Sequence, residues 1–310
     1  MRLDPDSIRN NHHRVISKAI THIENSNNLI QDILIDLHPD TLNAVRIGIT
    51  GPPGAGKSTL VNHLISDFVR QGKSVGVVAV DPTSPFTGGA LLGDRVRMNR
   101  HLWDENVFIR SMGSHGDLGG LARKTQDVGD LLAASGKEII IYETVGVGQG
   151  EHDIAKAADI TVVVLVPESG DEIQLMKAGL IEIADFFVIN KSDRDGAGRL
   201  SQMLRVMLHT FAQSRRLEPP VMNTVARKGE GVLEFKNNLL IHLERMKENG
   251  YIHRKRLERH RRRVIELVQH QLLDEFWTSQ RMKEFSGYTE TEESIETSPF
   301  VIAKELLKVQ

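Results

Sequence analysis

The feature that most constrains this chain is the segment Gly51-Pro52-Pro53-Gly54-Ala55-Gly56-Lys57-Ser58, which matches the phosphate-loop pattern G-x-x-x-x-G-K-[ST]. A β-branched apolar run at 45–50 precedes the segment, and a helical pattern follows it. In this order, glycines let backbone N–H groups point at a phosphate, and the start of the helix adds positive potential. We therefore predict a nucleotide site in which Lys57 reaches the β- and γ-phosphates and the Ser58 hydroxyl binds Mg²⁺.

Short apolar runs alternate with helical patterns through the middle of the chain. Several runs are apolar on successive residues, as expected for parallel strands that are covered on both faces. We therefore predict an α/β fold of three layers around a mostly parallel central sheet. The predicted strands are 45–50, 74–80, 107–111, 138–143, 160–166, 186–190 and 221–225, and the helices between them are 58–71, 121–135, 172–183, 199–213 and 233–249.

Helical patterns without strands flank this region on both sides. One helix is predicted at 7–25 and a short one at 29–37; after residue 251 a long helix is predicted at 254–276 and a last one at 299–307. We expect an N-terminal helical extension at 1–40, a P-loop domain at 41–250 and a C-terminal helical segment at 251–310.

A second motif, Asn190-Lys191-Ser192-Asp193, follows an apolar strand and matches the [NT]-K-x-D pattern of GTPases. An ionised Asp193 can accept both N1–H and the N2 amine of guanine, whereas adenine presents a lone pair at N1. Asn190 would brace the loop, and the Lys191 stem would lie over the purine. After the next strand comes Val225-Ala226-Arg227, where a backbone N–H would meet guanine O6.

Three acidic residues are candidates for a magnesium site. Glu143 ends an apolar strand and precedes a glycine-rich segment, Asp81 ends another strand, and Asp94 lies in the loop beyond it. Mg²⁺ prefers hard oxygen ligands, and an acid at a strand end beside a P-loop is a Walker B position. We therefore predict that Ser58, Asp81, Asp94 and Glu143 surround Mg²⁺, and that these three acids and Lys57 are the catalytic set.

Composition excludes other classes of chemistry. The chain has no cysteine, so disulfides, thiolate metal sites and cysteine catalysis are ruled out, and a reducing cytoplasm fits. Lys plus Arg number 39 and Asp plus Glu 41, which gives no support to a globally basic nucleic-acid binder. The most apolar stretch, 160–166, is too short to span a bilayer. We expect a cytoplasmic protein with no membrane or nucleic-acid partner.

Taken together, the motifs GPPGAGKST, VDPTSP, TGGALLGDRVRM, ETVGVGQGE, PESGDEIQ and NKSD resemble, in this order, the MeaB/ArgK-like family, to which the methylmalonic aciduria type A protein belongs. These are P-loop GTPases that accompany cobalamin-dependent acyl-CoA mutases. The resemblance implies that residues 51–59, including Thr59, bind the phosphates of GTP or GDP, and that Asp193 and 225–227 hold guanine.

The resemblance also implies a partner and an assembly. The partner would be a cobalamin-dependent acyl-CoA mutase similar to methylmalonyl-CoA mutase, whose cofactor loading the GTPase would gate and which it would protect or reactivate. The loop 168–174, with Lys177, resembles the family's third switch, and the C-terminal helices resemble its homodimerisation arm. The chain departs from the family at Val225, where Ser is usual, and at Glu168, where Gly is common.

Two alternatives remain open. A nickel-insertion GTPase would need Cys and His ligands, and the lack of cysteine argues against that function. An RNA-binding GTPase could use the basic run at 253–263, although such a run on a helix more often forms a solvated face or an oligomer contact.

Overall fold

A computed structural model describes residues 3–26, 29–81, 101, 104–113, 118–144, 150–168, 179–211 and 217–308. The chain forms two compact units, one ending at His253 and one beginning at Arg254. No helix within these described ranges is both long enough and apolar enough to cross a membrane.

The strands of the first unit lie close to their predicted positions. They are β1 (Val45–Thr50), β2 (Val75–Asp81), β3 (Val107–Gly113), β4 (Ile139–Thr144), β5 (Ile160–Leu165), β6 (Phe186–Asn190) and β7 (Val221–Thr224). All neighbouring strands are parallel, and the sheet order is β3-β2-β4-β1-β5-β6-β7. The predicted parallel sheet is confirmed, and β1, which leads into the phosphate loop, lies at its centre.

Helices cover both faces of this sheet and complete the three layers. In chain order they are α1 (Pro5–Arg9), α2 (His13–Glu24), α3 (Leu29–Leu37), α4 (Lys57–Arg70), α5 (Leu118–Ala134), α6 (Gly150–Ala157), α7 (Leu180–Ile183), α8 (Ala197–Phe211) and α9 (Val232–Glu248), with a 3₁₀ turn at His38–Thr41. One apolar cluster joins α4 and α9 to the sheet, a second joins α1, α2 and α5 to it, and a third joins α7 and α8 to β5 and β6. Successive apolar residues were therefore the right signal, because both faces of the strands are buried.

The N-terminal helix prediction at 7–25 was wrong in one respect. The segment forms two helices, and Asn11 between them has a φ of 59°. Asn tolerates this left-handed conformation better than most residues, so it can turn the chain. Residues Val15, Ile16, Ala19, Ile20 and Ile23 of α2 are buried, and this face packs against α5.

The second unit contains most of α10 (Tyr251–Phe276) together with α11 (Ser279–Thr289), a 3₁₀ turn at Glu292–Glu296 and α12 (Pro299–Lys308). The ring of Trp277 packs edge-on against Phe276 and Phe285. A largely apolar groove of about 1000 Å³ lies between these helices.

The first unit contains a buried histidine, and its burial predicts that the stability of the fold depends on pH. His242 on α9 is 4% exposed and packs edge-on against Phe186. Burial lowers its pKa below the ordinary value, Asp185 opposes that shift and Arg245 adds to it. The folded state therefore binds a proton at His242 less readily than the unfolded state does.

The stability that the buried, neutral His242 contributes should therefore be complete above about pH 7. It should be lost progressively as the pH falls below about 6.5, the ordinary pKa of histidine. Denaturant titrations at neutral and acidic pH should show a smaller loss for His242→Gln than for the wild type. The matched control is His209→Gln, since the His209 side chain is 85% exposed. Equal losses in all three proteins would contradict this prediction.

Candidate nucleotide-binding site

The phosphate loop runs from the end of β1 to the start of α4, as its pattern predicts. Gly51, Gly54 and Gly56 all have positive φ values. A Cβ on Gly51 would lie 2.0 Å from the Val164 carbonyl oxygen, and a Cβ on Gly56 would lie 2.3 Å from Asn190 Nδ2. Glycine is thus required at both positions, because β5 and the Asn190 side chain approach the loop too closely for any other residue.

The side chain of Lys57 is enclosed by its own loop. Lys57 is 5% exposed, and its ammonium donates to the carbonyl oxygens of Gly51 (2.7 Å) and Pro52 (3.0 Å). Burial lowers its pKa, while Glu143 and Glu151 favour the charged form. The loop therefore holds a buried positive charge that phosphate oxygens could take over from the two carbonyls. Pro53, Gly54 and Thr59 are exposed, and Ala55 is buried.

Two candidate magnesium ligands meet at the carboxyl edge of the sheet. The Ser58 hydroxyl donates to Glu143 Oε1 at 2.6 Å, and Glu143 is 1% exposed. Next to them, the hydroxyls of Thr50 and Thr144 are 3.1 Å apart and join the ends of β1 and β4. A hydroxyl and a carboxylate oxygen brought together at the foot of α4 have the chemistry that Mg²⁺ prefers.

The other two candidate ligands cannot be placed in this way. Asp81 is the last residue of β2 and pairs with Gly113 of β3 in the sheet, but its side chain is not among those described. Asp94 lies outside the described residues, as do 169–178, which hold most of the candidate third switch. Within the described ranges, no group of three His, Asp or Glu side chains could hold a metal ion.

Asn190 connects the two nucleotide motifs. Its side-chain amide donates to the carbonyl oxygen of Ala55 in the phosphate loop at 2.7 Å. Its Oδ1 accepts from the backbone N–H of Ala226 at 2.9 Å and from the Thr224 hydroxyl at 3.1 Å. Asn190 is 3% exposed, so these bonds are shielded from water. This residue therefore fixes the phosphate loop relative to the turn after β7.

Two of the three backbone N–H groups in the segment 225–227 are already hydrogen-bonded within the protein. The Val225 N–H donates to the Glu230 carbonyl, and the Ala226 N–H donates to Asn190. In the described part of the chain, the Arg227 N–H has no such acceptor. Asp193 lies nearby on the turn after β6, with its side chain 42% exposed and its Oδ2 3.2 Å from the ammonium of Lys228.

The sequence did not single out three of the residues around this site. Lys228 pairs with Asp193, Glu151 is buried and acts electrostatically on Lys57, and His63 Nε2 lies 2.8 Å from the Ala226 carbonyl oxygen. Glu151 at least closes the ETVGVGQGE motif. His63 lies on the helix after the phosphate loop, 163 residues away from its partner, and no spacing signal connects the two.

A parallel sheet that carries a phosphate loop after β1 and an Asn-Lys-x-Asp segment after β6 defines a P-loop protein of the GTPase class. The family model described as "Methylmalonyl Co-A mutase-associated GTPase MeaB" matches residues 16–281. The chain therefore belongs to the MeaB family, as the resemblance indicated, and it is a GTPase that acts on GTP and releases GDP.

Individual relatives agree with this assignment. A Pyrococcus abyssi protein named as a GTPase is 43% identical over 298 residues, which are 95% of this chain and 92% of the relative. GTPase ArgK of Escherichia coli is 36% identical over 74% of this chain and 71% of its own length. The mouse methylmalonic aciduria type A homolog, a mitochondrial protein, is 38% identical over 77% of this chain and 59% of its own length.

A solved structure agrees with the fold. The crystal structure of an LAO/AO transport system kinase superimposes with a TM-score of 0.70 at 24% identity, and the match covers 98% of this chain and 95% of the other. At this identity the likeness supports the architecture alone.

Proposed function

We propose that the GTPase holds Mg²⁺·GTP with residues 51–59 around the phosphates and Asp193 on the guanine base. The backbone N–H groups of the loop and the Lys57 ammonium would bind the β- and γ-phosphates. Of the three residues 225–227, Arg227 is the one whose N–H has no acceptor in the described chain, so we assign it to guanine O6.

Ser58 and Glu143 would hold Mg²⁺, directly or through water, with Asp81 and Asp94 completing the set. The 2.6 Å contact between Ser58 and Glu143 supports this assignment, since a bound cation would draw on the same two oxygens. When bound, the ion neutralises charge on the phosphates. The residues of this chain would position the phosphates, orient guanine and balance charge, which are the main contributions to phosphoryl transfer.

We also propose that the GTPase is a G-protein chaperone of a cobalamin-dependent acyl-CoA mutase similar to methylmalonyl-CoA mutase. It would gate cofactor loading and protect or reactivate the mutase. The observation that carries this proposal is the match of residues 16–281 to a family described by its association with that mutase. The likeness to the methylmalonic aciduria type A homolog supports the same partner.

The test is a pull-down of a cobalamin-dependent methylmalonyl-CoA mutase with the GTPase loaded with GDP or with a non-hydrolysable GTP analogue. Retention should differ between the two nucleotide states. The mutase should also raise the rate of phosphate release at least about tenfold, since ordering a switch or supplying a charge can contribute much more than that. Absence of both retention and stimulation would refute the chaperone function while leaving the GTPase activity intact.

We further propose that the C-terminal segment 251–310 mediates a homodimer. Apolar side chains that are partly or largely exposed surround the groove of the second unit, including Leu272, Leu273, Trp277 and Ile295. Contiguous apolar surface of this kind is unusual on a monomer and often marks an interface between proteins.

Leu273→Arg should therefore convert the dimer to a monomer, because it places a charge in the apolar surface. Sedimentation velocity over a range of protein concentrations measures this change. Val206→Arg is the matched control, since Val206 is 62% exposed and lies on α8 of the first unit. A monomeric wild type, or a dimer that tolerates Leu273→Arg, would argue against this interface.

A further inference from the structure

A second cavity lies in the first unit between α4 and α9, away from the phosphate loop. Its volume is about 330 Å³. We call it the α4–α9 cavity; its lining includes His63, Asp67, Arg70, Gln71, Gly229 and Lys236. Most of these side chains are polar, and the proposed binding of Mg²⁺·GTP gives none of them a direct contact with the nucleotide.

Lys236 is the unusual member of this lining. It is 1% exposed, which makes it one of the largest fully buried side chains of the described chain. The described residues offer its ammonium no hydrogen-bond or ion-pair partner. An ammonium on a side chain with so little access to water keeps little of its hydration, and no anion in the described chain compensates its charge. An anion bound in the cavity would compensate the charge of Lys236.

The other charges of the cavity do not supply it. Asp67, with its side chain 10% exposed, is already paired with Arg70 on the next turn of α4. This pair is neutral, so the positive charge of Lys236 remains. Arg70 has a side chain that is 76% exposed, and its guanidinium carries N–H donors besides the one that contacts Asp67. Gln71 adds an amide donor.

We infer that the α4–α9 cavity is a binding site for a small oxyanion of the phosphate or carboxylate class. Lys236 provides the buried charge, and Arg70 and Gln71 provide further donors at the cavity wall. A compact anion fits this donor set, because it replaces the missing counter-charge of Lys236 and accepts hydrogen bonds from several directions.

The site adjoins the guanine turn. His63 lines the cavity, and its Nε2 is 2.8 Å from the Ala226 carbonyl oxygen, which also accepts the Gly229 N–H at 3.2 Å. The backbone N–H of Ala226 in turn donates a hydrogen bond to Asn190 Oδ1. His63 therefore connects an anion in the cavity to the turn that holds guanine. The anion should restrain that turn and so slow the release of nucleotide.

The experiment is an isothermal titration of inorganic phosphate into the protein saturated with Mg²⁺ and a non-hydrolysable GTP analogue. The analogue fills the phosphate loop, and sodium chloride keeps the ionic strength constant. We expect saturable binding to the wild type that Lys236→Met weakens at least about tenfold, since a buried charged hydrogen bond is lost. Malonate, titrated in the same way, shows whether carboxylates share the site.

Two further variants keep the test decisive. Lys247→Met removes an exposed lysine of the same helix, one that is paired with Glu244 at 2.7 Å, and should leave phosphate binding unchanged. Arg70→Gln alters a side chain on the surface and should weaken binding even if Lys236→Met does not fold. Equal phosphate affinity in the wild type, Lys236→Met and Arg70→Gln, or no saturable binding to the wild type, would overturn the proposal.

The effect on nucleotide is measured separately, by the rate at which a fluorescent GDP analogue dissociates. Phosphate should slow dissociation from the wild type and not from Lys236→Met, whose basal GTPase rate should stay at the wild-type level. Saturable phosphate binding without a change in dissociation would overturn the coupling to the guanine turn, although the anion site itself would stand.

Discussion

Lys57→Ala is expected to abolish GTP hydrolysis and to weaken GTP binding by about 2–5 kcal/mol, the usual cost of truncating one partner of a buried charge pair. Lys57 is 5% exposed, and its charge is the one that the phosphate loop encloses. Without it, the β- and γ-phosphates would enter the loop with less compensation, and charge that develops during transfer would not be balanced.

Three measurements separate this effect from damage to the fold: phosphate release, calorimetric binding of a GTP analogue and circular dichroism. The fold should persist, because Lys57 donates only to two carbonyl oxygens of its own loop in the described structure. Lys73→Ala is the control, since Lys73 is half-exposed and its ion pair with Glu138 lies at the opposite edge of the sheet. Hydrolysis at the wild-type rate in Lys57→Ala would show that the phosphate-loop assignment is mistaken.

The sheet could be predicted from sequence because its strands are buried on both faces. Runs of successive apolar residues, as at β5 and β6, are typical of such strands, and both were located to within one residue. The phosphate loop could be predicted equally well, because its glycines, its lysine and the elements on either side are all fixed by local geometry.

The helices that were missed lack an apolar periodicity that sequence can reveal. No residue of α11 is buried, and its large apolar side chains are few: Met282, Phe285 and Tyr288. Helix α6 begins at Gly150, directly after a glycine-rich segment that indicates a loop. The division of the first predicted helix depends on the conformation of Asn11, which periodicity does not reveal.

The side-chain contacts around the site could not be predicted from the sequence either. Asn190 was predicted to brace a loop, but its bonds to Ala55 and Ala226 depend on how β1, β6 and β7 are ordered in the sheet. The same is true of His63, which contacts the carbonyl oxygen of Ala226 although the two residues are far apart in the chain. Periodicity indicates which face of an element is buried, and it carries no information about which distant polar groups will meet.

Asp193→Asn should reduce GTP affinity by about 2–3 kcal/mol, because the neutral amide loses the charged, two-point interaction with guanine. The amide oxygen can still accept from N1–H, but its NH₂ group then faces the N2 amine, and two donors oppose each other. Xanthine has an oxygen at that position. The variant should therefore bind xanthosine triphosphate more tightly than the wild type does, so that the preference between the two nucleotides is reversed.

Two controls identify the cause of such a change. Asp195→Asn alters an exposed carboxylate two residues further along and should leave the affinities for both nucleotides unchanged. Lys228→Met removes the cation 3.2 Å from Asp193 and should weaken GTP binding by less than about 1 kcal/mol, since this ion pair is largely exposed. Competition binding with GTP, ATP and xanthosine triphosphate measures all of these effects. If Asp193→Asn loses GTP affinity without gaining affinity for xanthosine triphosphate, then Asp193 supports the turn and does not itself read the base.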